Sequence, residues 1–186
     1  MAKLNFLQRL RSFQSFKQKL VEVIEPSTSQ PFPEVVELTY HHCVWKIEAE
    51  QEAFMIVRRT PFNNESRFVV IVDGEKFYKL WRSTPETSCA PRIQMPLDYR
   101  YAHAVEGFSA GLKNPVPLAE VNFSPSHGKK GVSFTNGTTR TLWLLAHRAK
   151  AFPILLGSES SSQELHRLAG TSSPPITVAS LLPEDW

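Results

Sequence analysis

The stretch of sequence that decides the fold is GVSFTNGTTRTLWLLAHRAKAFPILL, residues 131–156. Apolar and polar residues alternate at its start, through Val132 and Phe134, as in a short strand. The dipeptide Asn136-Gly137 follows, and it favours a turn because both residues adopt positive φ at low cost. The stretch is therefore predicted to begin with a strand that ends in a tight polar turn.

The second half of the stretch is predicted to form a helix and another strand. Thr138 or Thr139 can cap a helix over residues 139–149. Its apolar residues recur at three- and four-residue spacing, at Leu142, Leu145 and Ala149. Phe152-Pro153 should end this helix, and the apolar run at 154–156 is typical of a buried strand.

The predicted turn carries candidate binding groups. Backbone N–H groups, two hydroxyls, an amide and a guanidinium converge there, from Asn136, Gly137, Thr138, Thr139 and Arg140. A helix N-terminus attracts anions, and the arginine fork suits a phosphate. Two interpretations stay open at this point: a phosphate-binding turn, or an ordinary capped turn with a surface arginine.

Upstream, MPLDYRYAHAVEGFSAGLKNPVPLAEVNF (residues 95–123) predicts a helix followed by an extended segment. The helix should cover 97–112, with one apolar stripe formed by Leu97, Tyr101, Val105, Phe108 and Leu112. Asn114-Pro115 should stop the helix, because a residue before proline disfavours the α region.

Between residues 35 and 94 the sequence predicts mainly strands. Short β-branched or aromatic runs occupy 35–40, 44–47, 53–58, 68–72 and 76–81. Asp73-Gly74 between the last two predicts a type I′ hairpin. Residues 82–96 are expected to form a long irregular loop, and 163–169 a short helix before an extended tail.

The order of helix, NPVPLAEV strand, second strand, NGTTR turn, helix and FPILL strand resembles the ParB/sulfiredoxin fold. More narrowly, it resembles the plasmid fertility-inhibition proteins. The resemblance covers residues 95–157 most clearly and extends over 35–94. It implies an α/β domain at 31–186, with a mixed, largely antiparallel sheet flanked by helices. An amphipathic helix and a linker at 1–30 would precede this domain.

The resemblance also implies a function. Proteins of this family block conjugative transfer through type IV secretion channels, and DNase and ATPase activities are associated with their cleft. Arg140 and the turn would then grip a phosphate of ATP or DNA, with Asn114 on the opposite side of the cleft. Glu106, with a bound Mg²⁺, would orient the attacking water. The position of the sulfiredoxin cysteine falls on Thr138, which excludes reduction of sulfinic acids because no thiolate is available there.

Each of these roles has a plainer alternative. Glu106 can be a solvated side chain of the helix, and Asn114 can serve only to end it. His127, Lys129 and Lys130 at a hairpin tip, together with Lys113, could contact a DNA backbone without reading its sequence, or they could simply be solvated. A non-enzymatic adaptor that docks on the coupling ATPase of the secretion channel is the second functional hypothesis.

Bulk properties narrow the class of protein. The chain has 186 residues, a net charge of +3 and two cysteines, which disfavours a disulfide scaffold or a zinc site. No apolar run approaches the ~20 residues of a membrane span. Residues 3–25 predict a basic amphipathic helix, which either packs on its own domain or contacts a partner or the inner face of the bacterial inner membrane. We therefore expect a cytoplasmic protein, whose partners would be DNA and the coupling ATPase or a transferred substrate.

Overall fold

The computed structural model describes residues 32–84, 89–126 and 129–184, with side chains left out at 124–126 and 129–130. The amphipathic helix and linker predicted at 1–30 therefore lie outside the described residues, and so does His127. Only the backbone is described for Lys129 and Lys130.

A first sheet contains four of the described strands, in the order β1-β2-β3-β5. Its first three strands are antiparallel neighbours, and β5 pairs with β3 in parallel. The strands are β1 (Glu34–Leu38), β2 (His42–Ile47), β3 (Ala53–Arg58) and β5 (Val116–Pro117).

A second sheet contains five of the described strands, in the order β7-β6-β8-β4-β9. Its neighbours are antiparallel except β6 and β8, which run in parallel. The strands are β4 (Phe68–Asp73), β6 (Ala119–Ser126), β7 (Lys129–Asn136), β8 (Ala151–Leu156) and β9 (Ile176–Thr177). All six residues of β8 are buried, as expected for a strand with neighbours on both sides.

Helices flank these sheets. The α-helices are α1 (Gly74–Arg82), α2 (Tyr101–Ser109), α3 (Thr138–Ala146), α4 (Glu159–Ala169) and α5 (Val178–Leu181). Short 3₁₀ helices span Arg92–Leu97 and Gly111–Lys113. Helix α3 is the most buried of them, with five consecutive buried residues from Thr141 to Leu145, and the ring of Trp143 stacks on Phe108 of α2 at 4.2 Å between centroids.

The predicted fold class is confirmed: the described chain is mixed α/β, with largely antiparallel strands and flanking helices. The strands are divided between two sheets, whereas the sequence predicted one. The strands predicted at 35–40, 44–47, 53–58 and 68–72 are present within two residues of their expected ends. The likeness to the ParB/sulfiredoxin fold stays a prediction.

The hairpin predicted at Asp73-Gly74 is wrong. Asp73 is instead the N-cap of α1, and its carboxylate accepts hydrogen bonds from the amides of Glu75 (3.0 Å) and Lys76 (2.9 Å). Asp-Gly suits a helix start as well as a turn. Phe77 and Trp81, buried four residues apart, show the helical period that the strand assignment at 76–81 overlooked.

The helix predicted over 97–112 is shorter, and of its predicted apolar stripe only Tyr101 and Phe108 are buried. Helix α2 buries Tyr101, Ala104 and Phe108, whereas Leu97, Val105 and Leu112 are 79%, 47% and 50% exposed. Pro96 holds the preceding segment in a 3₁₀ helix, and Gly111 at φ +58° breaks the helical path after α2.

Other boundaries also differ from the expectations. Helix α3 starts at Thr138 after Gly137 and ends at Ala146, and Phe152-Pro153 lie within β8 rather than at a helix end. Strands β6 and β7 take up most of the polar loop predicted at 124–130. Part of the irregular loop predicted at 82–96 forms the 3₁₀ helix Arg92–Leu97.

Toward the C-terminus there is more regular structure than the sequence predicted. Helix α4 starts four residues before the predicted 163–169, because Ser158 accepts a hydrogen bond from the amide of Ser161 and caps it. The tail forms β9 and α5 instead of staying extended throughout.

The capping role of Asp73 predicts a measurable stability change. Asp73→Ala should lower the free energy of unfolding by about 1 kcal/mol, because two amides of the first turn of α1 lose their acceptor. Asp73→Asn keeps an acceptor oxygen and should stay close to the native value. Urea unfolding of both variants tests this, and equal losses in the two would contradict the cap.

Candidate functional site at the start of helix α3

The turn before α3 is closely packed. Gly137 has φ +92°, and a Cβ built on it would lie 2.7 Å from both the Cα and the Cβ of Ala119. Both the backbone conformation and the space therefore require glycine at this position. The first residues of α3 are held against the start of β6.

Arg140 fastens this turn to the chain that crosses between the sheets. Its Nη1 donates to the carbonyl oxygens of Pro117 (2.7 Å) and Leu118 (3.1 Å), and its Nη2 donates to Oδ1 of Asn136 (3.3 Å). Burial lowers the pKa of this half-buried guanidinium, and the charge of Glu120 opposes the shift. Both terminal nitrogens of Arg140 thus donate hydrogen bonds within the protein.

The acidic side chain beside Arg140 is Glu120, which the sequence analysis missed. Glu120 is the cross-strand partner of Asn136 in the pairing of β6 with β7, and Asn136 in turn contacts Arg140. Burial also lowers the pKa of Arg67, and the charge of Glu120 opposes that shift. Only the strand register brings Glu120 to this position, so no local sequence signal could have found it.

A cavity of about 360 Å³ lies beside the first turn of α3. Its lining residues come from α1, the 3₁₀ helix at Arg92–Leu97 and the residues on either side of it, β7 and α3. They are Trp81, Ala90, Met95, Asp98, Arg100, Ser133, Phe134, Thr138 and Leu142. Thr138 and Leu142 are four residues apart and share one face of α3. Arg140 is two residues from Thr138, on the opposite face, and it does not line this cavity.

The charged lining residues of the cavity are Asp98 and Arg100, and they are bonded to each other. The Oδ1 of Asp98 accepts from the backbone N (2.9 Å) and the Nε (3.1 Å) of Arg100, and Oδ2 accepts from Nη2 (2.9 Å). These hydrogen bonds hold the pKa of the Asp98 carboxyl below its ordinary value. The pair places one bidentate anion-binding guanidinium and one carboxylate in the cavity wall.

Other lining residues of the cavity are aromatic or apolar. The rings of Trp81 and Phe134 lie 4.7 Å apart between centroids. Trp81 is 2% exposed, and its Nε1 is buried without a hydrogen-bond acceptor in the described part of the chain. An apolar pocket with a few convergent polar groups is the usual form of a small-molecule site.

The structure brings together some of the predicted site residues. Asn136, Gly137, Thr138, Thr139 and Arg140 meet at the turn as expected, and Thr138 faces the cavity. Glu106 is exposed and lies half a helical turn from the buried Ala104 of α2. Lys113 and Asn114 are exposed after α2, and neither lines the cavity.

Metal and thiol chemistry find little support in the described ranges. No cluster of three or more His, Cys, Asp or Glu side chains there could hold a metal ion by itself. The metal-binding role of Glu106 stays a prediction. Cys43 and Cys89 are buried free thiols, and burial raises the pKa of Cys89 to about 11. Among the described helices, none is both long and apolar enough to cross a bilayer.

The contacts of Arg140 predict that it positions the turn. Arg140→Ala should lower the free energy of unfolding by about 1–3 kcal/mol, because two carbonyl oxygens lose a charged donor. Arg167 of α4 is an exposed arginine paired with Glu164, and Arg167→Ala should leave the stability close to the native value because solvent screens this ion pair. Thermal and urea unfolding compare the two, and an Arg140→Ala variant as stable as the native chain would contradict this role.

A family model, a related sequence and a solved structure all place the chain in one family. The model of the plasmid fertility inhibition factor family matches residues 69–170. The chain is 33% identical over 154 residues to "Protein osa" of Shigella flexneri, covering 80% of this chain and 79% of that protein. A crystal structure of the Oncogenic Suppression Activity Protein, described as a plasmid fertility inhibition factor and solved as a gold(I) cyanide derivative, matches with a TM-score of 0.75 and 31% identity over 95% of both chains. The chain therefore belongs to the plasmid fertility inhibition factors.

Proposed function

We propose that this fertility inhibition factor blocks transfer through a type IV secretion channel and that it hydrolyses phosphoesters, namely ATP and DNA. The observation that carries the enzymatic part is the cavity beside Thr138. It combines a helix N-terminus, a guanidinium and a carboxylate with an aromatic wall. Family membership supports the part that concerns plasmid transfer.

The chemistry of the cavity fits a nucleotide. Its volume of about 360 Å³ lies within the range of small-molecule sites. Half-buried Phe134 offers an apolar contact to a base, and the ring of buried Trp81 packs against it, tilted by 52°. At the other end, Arg100, the hydroxyl of Thr138 and the positive end of the α3 dipole offer donors to phosphate oxygens.

The same cavity contains oxygen ligands of the kind that Mg²⁺ prefers. Asp98, Ser133 and Thr138 supply a carboxylate and two hydroxyls. When bound, Mg²⁺ would neutralise charge that develops on the transferred phosphoryl group. Glu106 lies away from these groups, so Asp98 is the carboxylate that the cavity offers for catalysis. Lys113, Lys129 and Lys130 stay candidates for contacts with a DNA backbone.

A specific observation also favours the adaptor function. Ile93, Leu97 and Tyr99 are 87%, 79% and 87% exposed, and they follow one another on the 3₁₀ segment and the residues after it. Clustered exposed apolar side chains often mark a protein contact. This cluster, which we call the 93–99 surface, would be the contact with the coupling ATPase.

Hydrolysis is tested with Thr138→Val and its neighbour Thr139→Val as the matched control. Thr138 lines the cavity and Thr139 does not. Thr138→Val should lower kcat/KM for Mg²⁺-dependent ATP hydrolysis and plasmid DNA cleavage about 10- to 100-fold, as expected for one lost hydrogen bond to a charged substrate. Thr139→Val should keep the native rates. Absence of any hydrolysis by the native chain would refute the enzymatic proposal.

The adaptor function is tested by mating assays with Tyr99→Ser and Phe62→Ser. Both aromatic side chains are largely exposed, but Phe62 lies in the loop before β4 and outside the 93–99 surface. If docking alone blocks transfer, Tyr99→Ser should relieve inhibition while Phe62→Ser and Thr138→Val keep it. If hydrolysis is required, Thr138→Val should relieve inhibition as well.

A further inference from the structure

We infer that Arg100 is the anion-binding residue of the cavity and that Asp98 is a masked carboxylate, which a bound phosphate displaces from Arg100. The inference rests on the proposed function, because it assigns the substrate-binding step at the same cavity. The ligand class is the phosphate chain of a nucleotide, with pyrophosphate as its simplest representative.

The hydrogen-bonding edge of Arg100 is the basis of the inference. Its Nε and Nη2 face the two oxygens of Asp98 at 3.1 and 2.9 Å. Two oxygens of a phosphate fit the same pair of nitrogens, because carboxylate and phosphate are both recognised bidentately by arginine. A phosphate can therefore take the place of the Asp98 carboxylate without a new donor.

The Arg100 and Asp98 side chains are 43% and 22% exposed, so their place in the cavity wall rather than burial distinguishes this pair from the other ion pairs. Arg167 and Glu164 on α4 are joined by the same two nitrogens, at 3.0 and 2.9 Å, but neither lines the cavity. Asp98 and Arg100 do line it, and they are the charged residues among its nine lining residues. An anion that enters the cavity therefore meets one guanidinium, which is already occupied by its neighbour.

Trp81 supplies an independent sign of a ligand. Its ring belongs to the cavity wall, and its Nε1 is buried with no acceptor among the described residues. Leaving such a donor unpaired costs roughly 1–3 kcal/mol. Native proteins rarely tolerate this cost unless a water or a ligand supplies the acceptor. A ligand oxygen in the cavity would be one such acceptor.

The exchange also provides a base for hydrolysis. Once phosphate oxygens occupy Nε and Nη2 of Arg100, the Asp98 carboxylate is free to accept a proton from a water molecule. The oxygen of that water forms a bond to phosphorus while the bond from phosphorus to the leaving oxygen breaks. The leaving oxygen then takes a proton from solvent. Substrate binding would thus unmask the base that acts on it.

The test compares opposite substitutions in one ion pair. Asp98→Asn should bind metal-free pyrophosphate about tenfold tighter, because the competing carboxylate is gone and the donor edge of Arg100 is free. The same variant should lose hydrolysis about 100-fold, as expected for a missing general base. Arg100→Ala should weaken pyrophosphate binding at least about tenfold. Isothermal titration calorimetry measures the binding, and thermal unfolding checks that each variant is folded.

Glu164→Gln and Arg167→Ala are the matched controls, and neither should alter pyrophosphate binding. A purely structural bridge would be broken equally by Asp98→Asn and Arg100→Ala, so a shift of binding in the same direction in both would overturn the inference. Native rates of hydrolysis in Asp98→Asn would overturn the role of Asp98 as base. If the native chain hydrolyses nothing, the proposed function fails. The pyrophosphate titrations of Asp98→Asn and Arg100→Ala still test whether phosphate replaces Asp98 on Arg100.

Discussion

The contact on which the architecture depends is that of Arg140 with the backbone of Pro117 and Leu118. Pro117 ends β5 in the first sheet, and two residues later β6 begins in the second sheet. One guanidinium nitrogen bonds both carbonyl oxygens at this crossing, while Gly137 packs directly on Ala119. The start of α3 is thereby fixed to both sheets, and the cavity on the other face of that helix takes its shape from this attachment.

This arrangement separates the positioning of the helix from the lining of the cavity, whereas the sequence analysis gave Arg140 the phosphate-binding role. Arg140 holds the helix in place from one side, whereas Thr138 faces a possible ligand from the other side. The arginine that lines the cavity is instead Arg100, which is distant in sequence and follows a 3₁₀ segment. A positioning arginine and a binding arginine can look alike in a sequence, because both are cations near a helix start. Their hydrogen-bond partners tell them apart: Arg140 donates to backbone carbonyls, and Arg100 donates to the carboxylate of Asp98.

The sequence predicted what depends on local pattern and missed what depends on distant pairing. The order of strand, turn and helix within 131–156 follows from local propensities, and so does the turn at Asn136-Gly137. Both are present in the structure. Asp73-Gly74 failed because the same dipeptide can close a hairpin or cap a helix, and the packing of Phe77 and Trp81 decides between them. Glu120 and Asp98 could not be found at all, since strand register places one beside Arg140 and the fold brings the other to the first turn of α3.

The 93–99 surface and part of the cavity wall belong to one short segment of the chain, which would link the two proposed activities physically. Met95 is fully buried in the cavity wall, while Ile93 and Leu97 on either side of it face outward. Arg92 anchors the start of the segment through Nε to the carbonyl oxygen of Leu145 at 3.0 Å and through an ion pair with Glu75. The other end carries Asp98 and Arg100, whose bonding changes if phosphate is bound. A partner docked on the outer face would therefore contact the segment that also forms part of the cavity wall. Under the proposed function, partner binding and phosphate binding would then influence each other.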